Sequence, residues 1–279
     1  MKKREVDLLA SQWDAPYMLT DEAEIKRMVD YEVDPEKKIA YIITNRPEKL
    51  NALPLAALEL IGDYVKEAEC DDNVKVIIFK GNGPCFGTGA DASELGHYIG
   101  YKSGKTAEER KRPSQRQRML PDRNVVFGAF ERTIMECLKA TICQVHSYCY
   151  GGHFQMAMAS DIVVASEDAM FTHPAFRYLG PLGDFSWWID QGLTLKKLKE
   201  ITLTGRPLTA QEAEQLGIVN KVVPKEELEQ WALDFAQAIA VNSLDGIMVG
   251  KALMLANMEA RGKGVGSVVS GWIGHGWIT

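Results

Sequence analysis

The stretch Thr141-Ile-Cys-Gln-Val-His-Ser-Tyr-Cys-Tyr-Gly-Gly-His-Phe-Gln-Met-Ala-Met-Ala-Ser-Asp-Ile162 decides the fold class. Thr141–His146 is an apolar, partly β-branched run of strand length. Gly151 and Gly152 interrupt the pattern. Gly152–Ala159 then reads as a helix, and Ile162–Ala165 as a second strand. The same rhythm stands upstream, where Ile39–Thr44 predicts a strand, Leu55–Glu69 an amphipathic helix and Val74–Lys80 another strand. Alternating elements of this kind bury their apolar faces as stacked β and α layers, so the class is α/β.

Outside these segments the chain is less regular. Residues 1–33 are polar and aromatic without sustained period and are read as an N-terminal extension. Tyr98–Asp122 concentrates charged and polar residues, the composition of a solvated loop or of a lid over a ligand. After Gly205 the sequence turns helical. Thr209 and Glu212 have capping-box spacing ahead of a helix that stops at Gly217, and Lys225–Ala240 and Asp245–Arg261 continue as amphipathic helices. The division is therefore 1–33 extension, 34–205 core and 206–279 helical region.

The 279 residues, 46% hydrophobic, can bury a sizeable core without disulfides or metal. A net charge of -6 disfavours a nucleic-acid partner, because phosphate neutralisation requires an excess of Lys and Arg on one surface. Five cysteines without CxxC pairs, and no secretory leader, predict a reducing cytoplasmic setting. No apolar run approaches the roughly 18 to 20 residues that span a bilayer, so no membrane partner is expected.

Two glycine-centred loops follow predicted strands. Phe86-Gly-Thr-Gly-Ala-Asp91 and Tyr150-Gly-Gly-His153 both lack side chains where a ligand needs to approach the backbone, and adjacent N–H groups there form a nest for negative charge. The second also opens a helix, whose N-terminal dipole favours an oxyanion. Either loop alone reads equally as a tight turn.

Four segments, in order between about Lys38 and Lys251, resemble the crotonase (enoyl-CoA hydratase/isomerase) superfamily. Asn45-Arg-Pro-Glu-Lys-Leu-Asn-Ala-Leu53 is similar to the loop whose backbone wraps coenzyme A in that family. Gly87-Thr-Gly-Ala-Asp91 resembles its Ser-Ala-Gly-Ala-Asp turn. Lys139–Ile162 resembles its strand, glycine loop and helix, and Gly205–Asn220 the segment before its C-terminal helices. The resemblance implies a spiral of repeated ββα units with a C-terminal helical trimerisation region. It also implies an acyl-CoA thioester substrate, with coenzyme A as part of the substrate and no tightly bound cofactor, and a homotrimer or homohexamer.

Carried over by position, the resemblance assigns an oxyanion hole to the backbone N–H groups of Ala90 and Gly152. It assigns substrate contacts to Glu48, Ala52, Gly89 and Asp91. The two glutamates of the family's hydratases are absent, since their positions hold Gln155 and Ala175. Gln155 can orient water or a carbonyl, but it has no accessible protonation equilibrium. Asp184 is the replacement acid or base that the resemblance offers, and burial beside Phe185, Trp187 and Trp188 would raise its proton affinity. A turn aspartate is its other reading. His153, His173, Arg177 and Trp187 complete the candidate substrate-binding set, while His146 reads as a structural hydrogen-bonding residue. The aromatic cluster reads as core, or as the wall of a pocket for a bulky or cyclic acyl group.

Three functions fit this pattern. The leading one is enoyl-CoA hydratase or isomerase chemistry through a stabilised thioester enolate. The second is hydrolysis of a carbon–carbon bond in a β-keto or cyclic diketone substrate, and the third is acyl-CoA binding without catalysis.

Overall fold

The computed structural model describes residues 21–91, 129–174 and 185–262. Six strands form the main sheet: β1 (Val29–Asp34), β2 (Ile39–Thr44), β3 (Val76–Gly81), β4 (Ala140–Val145), β6 (Ile162–Ser166) and β9 (Lys221–Val223), in the order β1-β2-β3-β4-β6-β9. β1 is antiparallel to β2, and every later pairing is parallel. A second sheet contains β5 (Tyr148–Tyr150), β7 (Met170–Thr172) and β8 (Leu208–Thr209).

The two sheets record a repeating path. The chain runs along β4, turns at Ser147 with φ +54°, and enters β5 in the second sheet. It then forms α4 (Gly152–Ala159; α1 to α3 are Glu22–Lys26, Leu55–Cys70 and Ala129–Glu136). β6 next lies parallel beside β4, and β7 parallel beside β5. Each strand, strand and helix unit thus stacks on the one before it. Two isolated parallel bridges, Leu53 with Ala90 and Gly87 with Cys149, extend the second layer back through the earlier units. The first glycine loop is therefore held between two neighbouring turns of a spiral.

Period-two alternation divides the core. Ile77 and Phe79 of β3 face a cluster with Leu58, Ile61 and Val65 of α2 and Phe154 of α4. Val76 and Ile78 face Leu228, Ala232 and Ala236 of α8 (Leu228–Ala240; α5 to α7 are Phe185–Asp190, Leu195–Thr204 and Ala210–Gln215). A parallel sheet covered on both faces reads as continuous apolar sequence, which is why Ile39–Thr44 was legible.

Two elements lie in or at the edge of the segment read as an N-terminal extension. Within it, Glu22–Lys26 is helical, and Val29–Asp34 pairs along its whole length with β2. Asp21 caps the helix by accepting N–H bonds from Ala23 and Glu24. As an edge strand with one buried face, β1 alternates apolar Val29, Tyr31 and Val33 with acidic residues, too short a pattern to have stood out. The expected capping box is present: Thr209 accepts from Glu212 N at 3.1 Å, and Glu212 accepts from Thr209 N at 2.9 Å. The last helix, α9 (Leu244–Ala260), meets the helical segment Lys225–Ala240 at 99° and has no fully buried residue in the single chain. Val249, Leu253 and Met254 are 60% or more exposed, so this helix is apolar on its open side rather than amphipathic as expected. Among the described residues no single helix is long and apolar enough to cross a membrane.

Candidate active site

Most backbone N–H groups of the two glycine loops have an acceptor, and those that do not include one at the end of each loop. In the first loop Gly87 N donates to Tyr148 O at 2.8 Å, Thr88 N to Leu50 O at 3.1 Å and Asp91 N to Leu53 O at 2.8 Å. Gly89 N donates to His153 Nδ1 at 3.1 Å. In the second, Tyr150 N donates to Gly87 O and Gly151 N to Thr172 O, both at 3.0 Å. Ala90 N and Gly152 N remain, with no acceptor among the described residues, as does His153 N one residue further into the helix. Gly152 is the first residue of α4, where the helix itself supplies none.

The loops pack so closely that glycine is required. Gly89 has φ +95°, and a Cβ on it would stand 2.9 Å from both Gly152 N and Tyr150 O. A Cβ on Gly152, by contrast, would lie 3.8 Å from each of Ala90 N, Gln155 Oε1 and Gly89 Cα. That point marks a small space shared by the two free N–H groups and the Gln155 amide.

His153 lies beneath the first loop. It is fully buried, and its ring lies against Gly87, where an added Cβ would overlap the imidazole. Accepting from Gly89 N through Nδ1 places the ring proton on Nε2, which has no hydrogen-bond partner. Burial pushes the imidazole down to about 3, so it is neutral near pH 7. His153 props the loop rather than facing open space. His173 is also buried and driven down to about 4 by desolvation, 5.1 Å from the Trp188 ring and 6.3 Å from that of Phe154. His146 Nε2 bonds Gly83 O at 3.0 Å, the structural role read from the sequence.

Arg46 joins the segment around Leu50 to the first loop, its Nη1 donating to Ala52 O and to Asp91 Oδ2, each at 2.7 Å. Ala52 and Asp91 thus share one guanidinium. Glu48 stands at the surface, its side chain 68% exposed and 3.8 Å from Arg46. Trp187 is buried and its indole donates to Met158 O at 2.6 Å, while Trp188 packs edge-on against Phe154. Both are core residues. Asp184, Ala175 and Arg177 lie outside the described residues, as does 98–122.

The sequence pattern of the enoyl-CoA hydratase/isomerase family matches residues 34–265. The chain belongs to that family. A Dictyostelium discoideum protein described as a probable mitochondrial enoyl-CoA hydratase is 32% identical over 229 residues, covering 80% of this chain and 75% of its own. An Arabidopsis thaliana protein described as a probable peroxisomal enoyl-CoA hydratase 1 is 32% identical over 211 residues, covering 73% and 70%. The crystal structure of a probable enoyl-CoA hydratase from Mycobacterium smegmatis superposes with a TM-score of 0.75 at 26% identity, over 89% of this chain and 92% of that one. As a member of the enoyl-CoA hydratase/isomerase family, the protein is an enzyme of hydratase/isomerase type that acts on coenzyme A thioesters.

In this family member the structure adds a carboxylate that the sequence reading passed over. Glu131 of α3 is 3% exposed and accepts from Gln155 Nε2 and from Trp188 Nε1, each at 3.1 Å. The available signal was its position: Glu131 shares a helix face with Ile134 and Met135, three and four residues on, both of them core residues.

Proposed function

We propose that the N–H groups of Ala90 and Gly152 bind the thioester carbonyl oxygen and stabilise the enolate formed when the acyl group loses its α-proton. The observation that carries this reading is that two unclaimed backbone donors, one from each of two tightly packed glycine loops, border one space. Donors fixed in the backbone need no reorganisation as charge develops, and removing one such donor costs about 3 kcal/mol in comparable sites. Gly89 serves by close approach, His153 by holding Gly89, and the Ala52–Arg46–Asp91 link by fixing the loop that meets coenzyme A.

Proton transfer is assigned to Asp184, with Gln155 orienting the reacting group. The resemblance puts Gln155 and Ala175 at the positions of the family's two glutamates, which counts against the usual paired-carboxylate addition of water. The bulky or cyclic acyl group anticipated from the aromatic cluster draws no support from Trp187 and Trp188, which are committed to the core. The exposed apolar side of α9 supports assembly as a trimer or hexamer, with that side as the subunit contact. Asp184→Asn tests the assignment: loss of turnover by a factor of 100 or more is expected, on the order of a general acid–base contribution, with acyl-CoA binding retained. Full activity would remove Asp184 from the mechanism.

A further inference from the structure

A glutamine amide can offer either its N–H or its carbonyl to a ligand, depending on how its last torsion is set. In this protein the setting comes from Glu131. An indole N–H only donates and a carboxylate only accepts, so Glu131, receiving Trp188 Nε1 on one oxygen, takes the NH₂ end of Gln155 on the other. Gln155 Oε1 is left 3.8 Å from the point where a Gly152 Cβ would stand, the same distance that separates that point from Ala90 N. Oε1 accepts no hydrogen bond from the described residues. Gln155 and Glu131 are 5% and 3% exposed, so bulk water does not readily rescue a wrong pairing.

We propose that Glu131 is a positioning residue that makes Gln155 an obligate hydrogen-bond acceptor beside the thioester, and so selects acyl groups carrying a hydroxyl donor close to the carbonyl. The inference rests on the reading of Ala90 and Gly152 as the thioester site. An acyl group with an ether oxygen in place of the hydroxyl sets two acceptors against each other. The expected discrimination is about tenfold in Kd, the size of one unmet buried hydrogen bond.

The test compares 3-hydroxybutyryl-CoA with 3-methoxybutyryl-CoA, binding being read from the tryptophan-fluorescence change before turnover. The native protein should prefer the hydroxy ligand about tenfold. In Glu131→Gln, whose amide keeps its oxygen toward Trp188 and offers N–H toward residue 155, the Gln155 amide turns over and presents a donor. The preference should then fall to about one, with the thermal midpoint recorded alongside. Gln155→Met, which removes the acceptor without touching Glu131, should lose the preference as well and decides the matter if the first variant does not fold. Equal binding of the two ligands by the native protein, or an unchanged preference in the folded variants, overturns the inference alone. Binding of neither ligand by the native protein overturns the thioester reading beneath it.

Discussion

Gly152→Ala separates the proposed chemistry from the architecture. Gly152 does not have positive φ, and its added methyl would meet nothing closer than 3.8 Å. As the first residue of a helix, alanine there should leave stability unchanged or raise it by up to about 1 kcal/mol. The methyl would nonetheless stand 3.8 Å from Ala90 N and 3.8 Å from Gln155 Oε1. An oxygen bonded to Ala90 N–H needs to lie about 2.9 Å from that nitrogen, and the methyl is expected to crowd it. Losing one of two oxyanion donors corresponds to about 2.7–4 kcal/mol, or a 10²- to 10³-fold drop in rate. The assay is exchange of the acyl α-protons of a saturated acyl-CoA in D₂O, followed by mass, because it reports enolate formation whatever the overall reaction. Gly89→Ala provides the contrast: with φ +95° and contacts of 2.9 Å on two backbone atoms, it should cost at least about 1–3 kcal/mol of stability as well as activity. Native exchange rates in Gly152→Ala, at an unchanged melting temperature, would show that this space does not hold the thioester oxygen.

Two further outcomes follow from buried and exposed groups. His153 and His173 are held below their ordinary imidazole value by burial, so the unfolded chain takes up protons that the folded one refuses as pH falls below 6.5. Their neutral folded state is fully favourable above pH 6.5, and stability should fall by up to about 1.4 kcal/mol per imidazole for each unit of pH down toward 4. Urea titrations at pH 7, 6 and 5 should show a shallower pH slope in His153→Gln than in the native protein; identical slopes would count against a buried neutral imidazole. Leu253, 62% exposed on α9, is the handle on assembly. Leu253→Asp should lower the mass measured by light scattering from trimer or hexamer toward monomer, and an unchanged mass would place the subunit contact elsewhere.

What the sequence disclosed, and what it hid, depends on how local each signal is. β2, β3, β4 and β6 were legible because strands buried on both faces carry nearly continuous apolar runs. α4 was legible from the glycines that precede it and the apolar residues that fill it. β1 was missed because an edge strand supplies only three alternations, and Val33 at its end is 36% exposed. α9 was misread because its exposed Leu253 and Met254 are as apolar as core residues, and periodicity cannot tell a buried face from an uncovered one.

The site divides in the same way. Gly89 and Gly152 were visible as loop glycines, yet the reason for Gly89 is a contact 63 residues away in sequence, with Gly152 N. His153 suggested a ligand contact from its place in the second loop. Its actual engagement is with Gly89 N, 64 residues away, which no local pattern encodes. Glu131 was hidden more deeply, since its burial has meaning only when Gln155 and Trp188, 24 and 57 residues distant, are seen to converge on its two oxygens.

If Ala90 and Gly152 polarise a thioester carbonyl, difference infrared spectroscopy of a bound, ¹³C=O-labelled acyl-CoA reads that polarisation directly. The carbonyl band should move to lower frequency on binding to the native protein and return toward its solution position in Gly152→Ala. A band that stays at its solution frequency when the native protein is saturated would mean that the two N–H groups do not bind the carbonyl.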